Sequence, residues 1–408
     1  MEFPDLLERF ISYVKIDTGS DPDSDTFPST EKQFDLANKL ASEMNDMGLS
    51  DVSVNKYCYV SGFLKTNQCA EMPVIALIAH MDTSPDVTGT AVNPMVHRDY
   101  DGKDIVLSKD LILKVEDNSL LKEKKGKTII TTDGNTLLGA DDKAGVSEIM
   151  SAVNFLLKNP DFPRPDIRII FTPDEEVGKG TDKITIDEIG ADVAYTVDGE
   201  KSGELEDETF CADSVDIKIK GINLHPGYAK GKMVNAVKIA ADFVNELPHE
   251  AGAPENTEKR EGYIHPHVFT ANVDMATIRI LVRDFDETGM IEKERMIRET
   301  VNRIKDKYPE AEISMAVNES YRNMKQVLDN YSEVLEKAEK AIAAAGLTPV
   351  RTSIRGGTDG ARLSFMGLPT PNLFTGGNNF HSRFEWIALE DMEKAAEVIV
   401  NLMKIWAE

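Results

Sequence analysis

The chain is poor in cysteine, in tryptophan and in positive charge, and two of these scarcities close off whole classes of protein. Three cysteines, Cys58, Cys69 and Cys211, form an odd and scattered set. That argues against a disulfide framework and fits a reducing compartment, so any metal here falls to histidines and carboxylates. Lys and Arg number 46 against 71 Asp and Glu, a formal charge of −25 over 408 residues. Nucleic acid is gripped by clustered cations that release counterions, and an acidic surface without a basic patch repels it. The densest basic run, Lys122 to Lys127, is short. Long apolar runs are missing too: stretches such as Val74 to Ala79 fall far below the ~20 residues that span a bilayer. No basic-then-apolar leader opens the sequence, so the expectation is a soluble cytoplasmic protein with no membrane partner.

What is present is 41% hydrophobic residues, enough for a core, at a length where one core usually gives way to two domains. The spacing of Phe3, Leu6, Leu7, Phe10 and Val14 predicts an opening helix. Thr30 is placed to cap a second helix while Gln33 reaches back, with Gly48 as its stop. Pro73 to Ala79 is apolar on both faces, as buried central strands are, and similar runs recur at Ile167 to Phe171, Val193 to Val197 and Pro371 to Phe374. With a helix from about Gly145 between the first two, this is the rhythm of an α/β layered domain with a mainly parallel core.

From about Thr209 to Asn318 the pattern changes to strands with one wet face. The predicted order is strand 214–220, helix 235–245, strands 267–273 and 277–283, a helix carrying Met290, Ile297, Val301 and Ile304, and strand 312–317. That β-α-β-β-α-β order predicts a ferredoxin-like insert. Residues 1–208 and 319–408 then form one discontinuous domain, and 209–318 the insert.

Five short motifs carry chemistry, and four of them stand where a buried strand ends, the place where open α/β sheets gather ligands. His80-Met81-Asp82 pairs an imidazole with a carboxylate that can fix its tautomer, although a buried structural histidine reads the same way. Gly139 to Gly145 presents Asp141 and Asp142 at a helix head, where capping alone also explains an aspartate. Asp174, Glu175 and Glu176 are adjacent acids that raise one another's cost of ionisation, so a close cluster beside a buried strand end requires a cation or a shared proton, although a solvated acidic turn reads the same way. Asp198 ends another strand, and His381 follows the glycine turn Gly376-Gly377. Together they offer two histidines and three carboxylates plus spare acids, a donor set suited to two Zn²⁺ or similar ions.

In order and spacing, His80-x-Asp82, Gly-Ala-Asp141-Asp142-Lys, Asp-Glu175-Glu176-x-Gly, Val-Asp198-Gly and His381 resemble the co-catalytic zinc exopeptidases related to carboxypeptidase G, aminoacylase and dipeptidase V. The stretches TTDGNTLLGADDKAG, FTPDEEVGKG, AYTVDG, LVRDFD and IRGGTDGARLSFMGLPTPNLFTGG are similar to the peptidase T family of tripeptide aminopeptidases within that group. The similarity runs over nearly the whole chain and is weakest at 96–127 and 263–276. It implies a three-layer α/β catalytic domain with a lid or dimerisation insert, possible pairing of two subunits through that insert, and short peptides as substrates. Site by site, it implies that His80 and Asp198 hold one zinc, Glu176 and His381 the other, and that Asp141 bridges them. Co²⁺ and Mn²⁺ are permitted substitutes. Asp82 would orient His80, and Glu175 would be the general base of a tripeptide aminopeptidase that attacks the N-terminal peptide bond with activated water.

The resemblance further implies a substrate contact from His225, as an oxyanion donor, with a plain turn histidine before proline as the alternative, and Arg355 is a candidate clamp on the peptide C-terminus. Arg283 is a further candidate, with a salt bridge to Asp284 or Asp286 as the alternative. The chain departs from the peptidase T pattern at Glu200, Tyr228, Arg322 and Ser382, all beside the proposed ligands or contacts. A two-metal amidohydrolase acting on N-acyl amino acids or dipeptides is the alternative enzyme, and a non-catalytic binder the alternative of another class. The presence of Glu175 and every ligand speaks against the binder.

Overall fold

A computed structural model describes residues 1–69, 71–249 and 252–408. The chain divides into two compact units, Met1–Asp207 with Met324–Thr352 and Thr358–Glu408, and Glu208–Asn323 with Ser353–Gly357.

The first unit is built on an eight-stranded sheet in the order Ser50–Val54, Val60–Leu64, Ile167–Thr172, Ile75–His80, Val193–Gly199, Asn372–Phe374, Glu204–Thr209, Val350–Ile354. The four strands from Ile167–Thr172 to Asn372–Phe374 run parallel, with antiparallel strands outside them. Ile75–His80 is buried at all six positions because both faces of the sheet are covered. Ala76, Ile78, Ile170 and Ala194 join a cluster with Ile184, Ile189, Leu363 and Leu368 on one face. The helix Ala140–Lys158 lies against Ile75–His80 and Val193–Gly199, and Leu6–Val14 and Leu389–Trp406 pack on it in turn. That helix is buried over most of its length, so its apolar residues do not form a single stripe. Helices on both faces of a largely parallel core make the three-layer α/β architecture.

The second unit is a four-stranded antiparallel sheet in the order Tyr263–Ala271, Met275–Asp284, Cys211–Lys220, Glu312–Tyr321. Helices Ala236–Asn245 and Glu287–Lys307 cover one face, burying Val215, Ile217, Ile278, Ile280, Val282, Phe243, Ile297 and Val301. The element order and the strand order are those of a ferredoxin-like fold.

One local expectation needs correction. The second helix runs Gln33–Met47 and begins without a side-chain cap. Gln33 Nε2 does reach back, donating to Thr30 Oγ1 at 3.2 Å, but it donates to Asp174 at 2.7 Å as well, and Thr30 Oγ1 donates to the Gly19 carbonyl at 2.9 Å, so Thr30 caps no helix N–H. The helix expected from about Gly145 takes regular angles from Lys143 onward, close to that expectation, after Asp141 and Asp142 depart from helical backbone angles. Of the three free cysteines, Cys58 and Cys211 are buried and Cys69 is exposed. A second small sheet, Gly377–Asn378, Trp386–Ala388, Ile129–Thr131 and Met95–His97, was not foreseen, because strands of two or three residues are too short to show a period. Among the described residues no helix is long and apolar enough to cross a membrane.

Candidate metal centre

The parallel strands deliver their chemistry at one end of the first unit. His80 is the last residue of Ile75–His80, Asp198 stands near the end of Val193–Gly199, and the turn Glu175–Val177 follows Ile167–Thr172. Asp141 is lifted from the helix path by its own backbone angles, after Gly139 turns the chain at φ +82°. Asp142 takes the capping role: its Oδ1 accepts the Gly145 N–H at 3.2 Å and its Oδ2 the His80 N–H at 3.0 Å. Gly145 is required by space, since a Cβ there would stand 1.9 Å from the Val197 carbonyl oxygen.

Asp141 lies between two histidines. His80 Nε2 is 2.9 Å from Asp141 Oδ1 and 3.5 Å from Asp198 Oδ1. His381 Nε2 is 3.1 Å from Asp141 Oδ2 and 3.0 Å from Glu176 Oε2. Two donor triads result, His80–Asp141–Asp198 and Asp141–Glu176–His381, each with its atoms within 4.8 Å of one another. Behind them, fully buried Asp82 faces His80 Nδ1 at 3.4 Å and accepts the N–H groups of Glu175 and Glu176 at 2.9 and 3.2 Å.

The electrostatics of this group are strained. Burial raises Glu175 well above the carboxylate range despite His80, and Asp198, Asp359 and Glu176 push it further. Burial and Asp141 carry Glu176 to about 8, and burial carries Asp198 to about 6. Burial would raise Asp141 as well, but hydrogen bonds with His381 and His80 hold it below the usual range. Burial lowers His381, yet Asp141 and Glu176 overcome that and lift it to about 11. Among the described residues none of these carboxylates pairs with lysine or arginine, so the positive charge the cluster needs has no side-chain source beyond the two imidazoles. Glu176 Oε1 is buried without a hydrogen-bond partner among the described residues. Imidazole nitrogens, crowded carboxylates and an orphaned buried oxygen fit a pair of divalent cations.

Sequence reasoning passed over Glu385 and Asp359 and gave Asp174 no bracing role of its own. Glu385 accepts four consecutive N–H groups, from Leu138, Gly139, Ala140 and Asp141, at 2.7 to 3.2 Å, and so pins the turn that presents Asp141. Asp359 is buried, accepts from Thr172 Oγ1 at 2.8 Å, and is pushed by burial to about 7. Asp174, at φ +57°, is fastened by Ser29 and Gln33, which anchors the Glu175 turn. For Glu385 and Asp359 the only signal in the sequence was an acid near the other motifs, which surface residues share.

The expected substrate contacts lie in the second unit. His225 Nδ1 accepts the Gly227 N–H at 3.2 Å, a bond that leaves Nε2–H as its free donor, and Tyr228 lies beside its ring. Arg355 spends both terminal nitrogens on Lys259, Glu261 and Thr257 and lies over Phe210. Arg283 donates to the Asp213 and Val282 carbonyls and lies over Tyr321, while Asp284 pairs with Lys293. Of the departures, Arg322 is tied to buried Asp213 at 2.7 Å, and Ser382 Oγ donates to the Asn379 carbonyl at 2.6 Å.

Residues 128–405 match the family model described as Peptidase family M20/M25/M40. Peptidase T of Clostridium botulinum (strain Loch Maree) is 48% identical over 405 residues, 99% of each chain, and peptidase T of Clostridium perfringens (strain ATCC 13124) is 46% identical over 401 residues, 98% of each. Among solved structures, aminopeptidase PepT from Bacillus cereus superimposes with a TM-score of 0.75 at 23% identity, over 100% of both chains. The Bacillus subtilis YXEP protein, a dinuclear metal binding peptidase, does so with a TM-score of 0.67 at 15% identity, over 99% of this chain and 98% of that one.

Proposed function

The chain belongs to peptidase family M20/M25/M40, and from that premise we propose that it is an aminopeptidase that removes the N-terminal residue of tripeptides. The observation that carries the reading is the pair of donor triads sharing Asp141. His80 and Asp198 would hold one divalent cation, Glu176 and His381 the other, with Asp141 between them; zinc suits these donors best. When bound, two such ions lower the pKa of a water and polarise the scissile carbonyl.

The chain's own residues do the rest. Asp82 faces the ring nitrogen of His80 that points away from the cluster, and so keeps the other nitrogen directed inward. Its second task is to hold the Glu175–Glu176 turn by two N–H groups, which leaves the Glu175 carboxylate free of ligand duty. Glu175 takes the proton of the attacking water and passes it to the leaving amine, a cycle helped by burial, which raises its pKa above the ordinary carboxylate value. His225 keeps an Nε2–H to donate, which suits the oxyanion role. Arg283 and Arg355 are committed to main-chain carbonyls and stand outside this proposal. A cytoplasmic location agrees with three free cysteines, and pairing of two copies through the second unit is part of the reading.

The test offers zinc-loaded protein Ala-Ala-Ala, Ala-Ala and N-acetyl-alanine, with metal content measured on the same sample. Preferential release of alanine from the tripeptide is expected. Hydrolysis of the acylated compound alone would move the protein to the amidohydrolases.

A further inference from the structure

The two histidines of the centre are held in different ways. His80 is 3% exposed, and Asp82 stands behind its ring. His381 lies on a loop at φ +57° with 40% of its side chain exposed, so no packed core fixes its ring. Its Nε2 turns to Asp141 and Glu176, and its Nδ1 turns to one carboxylate, Asp86 Oδ2, at 3.6 Å. Asp86 makes no ion pair with lysine or arginine among the described residues. It sits four residues beyond Asp82 on the chain leaving the same strand, and its N–H is held by Ser84 Oγ at 3.3 Å.

We propose that Asp86 is a positioning residue for His381, accepting its Nδ1–H so that the Nε2 lone pair faces the cation shared with Asp141 and Glu176. The proposal rests on the metal-centre reading above. A neutral imidazole carries one proton on either nitrogen, and an exposed ring in water has no strong reason to choose. A carboxylate beside Nδ1 makes that choice and also raises the basicity of Nε2. At 3.6 Å the contact is longer than a hydrogen bond, and closing it takes a shift of about 0.7 Å in an exposed side chain. At the buried histidine the corresponding Nδ1 faces Asp82 twice, its main-chain carbonyl at 3.1 Å and its carboxylate at 3.4 Å, and Asp86 is the one such acceptor offered to the exposed histidine among the described residues.

Removing such a partner typically weakens metal binding about 10- to 100-fold. The Asp86 side chain is 69% exposed, so water competes for the same bond and the effect belongs at the lower end, about tenfold. The experiment is an equilibrium zinc titration of the full chain against a chromophoric chelator, with Co²⁺ visible spectra alongside, for wild type, His381→Ala, Asp86→Asn, Asp86→Ala and Asp86→Glu. Wild type should bind two ions and His381→Ala should lose one site. Asp86→Asn and Asp86→Ala should weaken that same site about tenfold, leave the other site and the unfolding temperature of the metal-free chain unchanged, and be largely rescued by Asp86→Glu. Wild-type affinity at both sites in the Asn and Ala variants would overturn the proposal, and a raised KM with unaltered zinc affinity would do so by assigning Asp86 to substrate. A wild type that binds fewer than two ions would instead overturn the metal-centre reading itself.

Discussion

Replacing Gly145 by alanine tests whether the centre depends on how closely the helix Ala140–Lys158 lies on the strand Val193–Gly199. The added Cβ would stand 1.9 Å from the Val197 carbonyl oxygen and 2.5 Å from Asp142 Oδ1, where ordinary contact begins at 3.4 Å. Relief of the first clash needs 3.4 − 1.9 = 1.5 Å of separation, and backbone, not a flexible side chain, must supply it. Asp141 precedes this helix turn and Asp198 follows Val197, so the shift pulls apart two members of one donor triad. Metal–ligand distances tolerate only ~0.2 Å, and a misplacement near 1 Å costs about a hundredfold in rate. Overpacking adds about 3 kcal/mol of instability, the upper end of its usual range. The assay is kcat/KM on Ala-Ala-Ala in excess zinc, with metal stoichiometry and calorimetric unfolding on the same preparation. We expect at least a hundredfold loss of kcat/KM, loss of at least one ion, and a fall of several degrees in Tm. A folded variant with wild-type metal content and rate would refute the reasoning, because it would show that helix and strand can separate without disturbing the site.

Three further outcomes follow from the geometry. Glu175→Gln should retain both ions and lose about 10²- to 10⁴-fold in kcat; full activity with zinc verified would remove Glu175 from the reaction. Glu148 is buried in the helix Ala140–Lys158 with neither carboxyl oxygen hydrogen-bonded among the described residues, and burial, with Asp391 adding, raises its pKa well above the ordinary value. The folded chain therefore holds this proton more tightly than the unfolded one, so the group's contribution is full below the unfolded pKa of about 4.3 and is lost as pH rises through the folded value. Glu148→Met should accordingly stabilise the protein by about 1–3 kcal/mol at pH 8, with the gain shrinking toward pH 4 in denaturant titrations; a pH-independent difference would show the carboxyl to be solvated. Arg355→Ala should cost about 1–3 kcal/mol of stability through its lost carbonyl bonds and leave the KM of Ala-Ala-Ala nearly unchanged, whereas a tenfold rise in KM at constant stability would restore Arg355 as a substrate clamp.

The parallel core was legible because strands buried on both faces must be apolar throughout, as Ile75–His80 is, and the ferredoxin-like insert because one-sided sheets alternate. The small sheet built on Ile129–Thr131 and Trp386–Ala388 was not, since its strands are shorter than one cycle of any pattern. Asp141 and Asp142 look alike in sequence, yet one turns into the cluster while the other caps the helix, and only backbone angles separate them. Arg355 looked like a fork waiting for a carboxylate, but the 257–261 segment, nearly a hundred residues away in the chain, supplies carbonyls that occupy it.

By itself, the sequence determined which side chains have the chemistry to hold two cations and move a proton, because donor type and charge are properties of residues taken singly. The tertiary structure alone decided which acids face the cluster, which brace it from behind, as Glu385 does through four N–H groups, and which nitrogen of each histidine points inward. Those are matters of distance and direction between residues up to about 300 positions apart, and no local pattern encodes them.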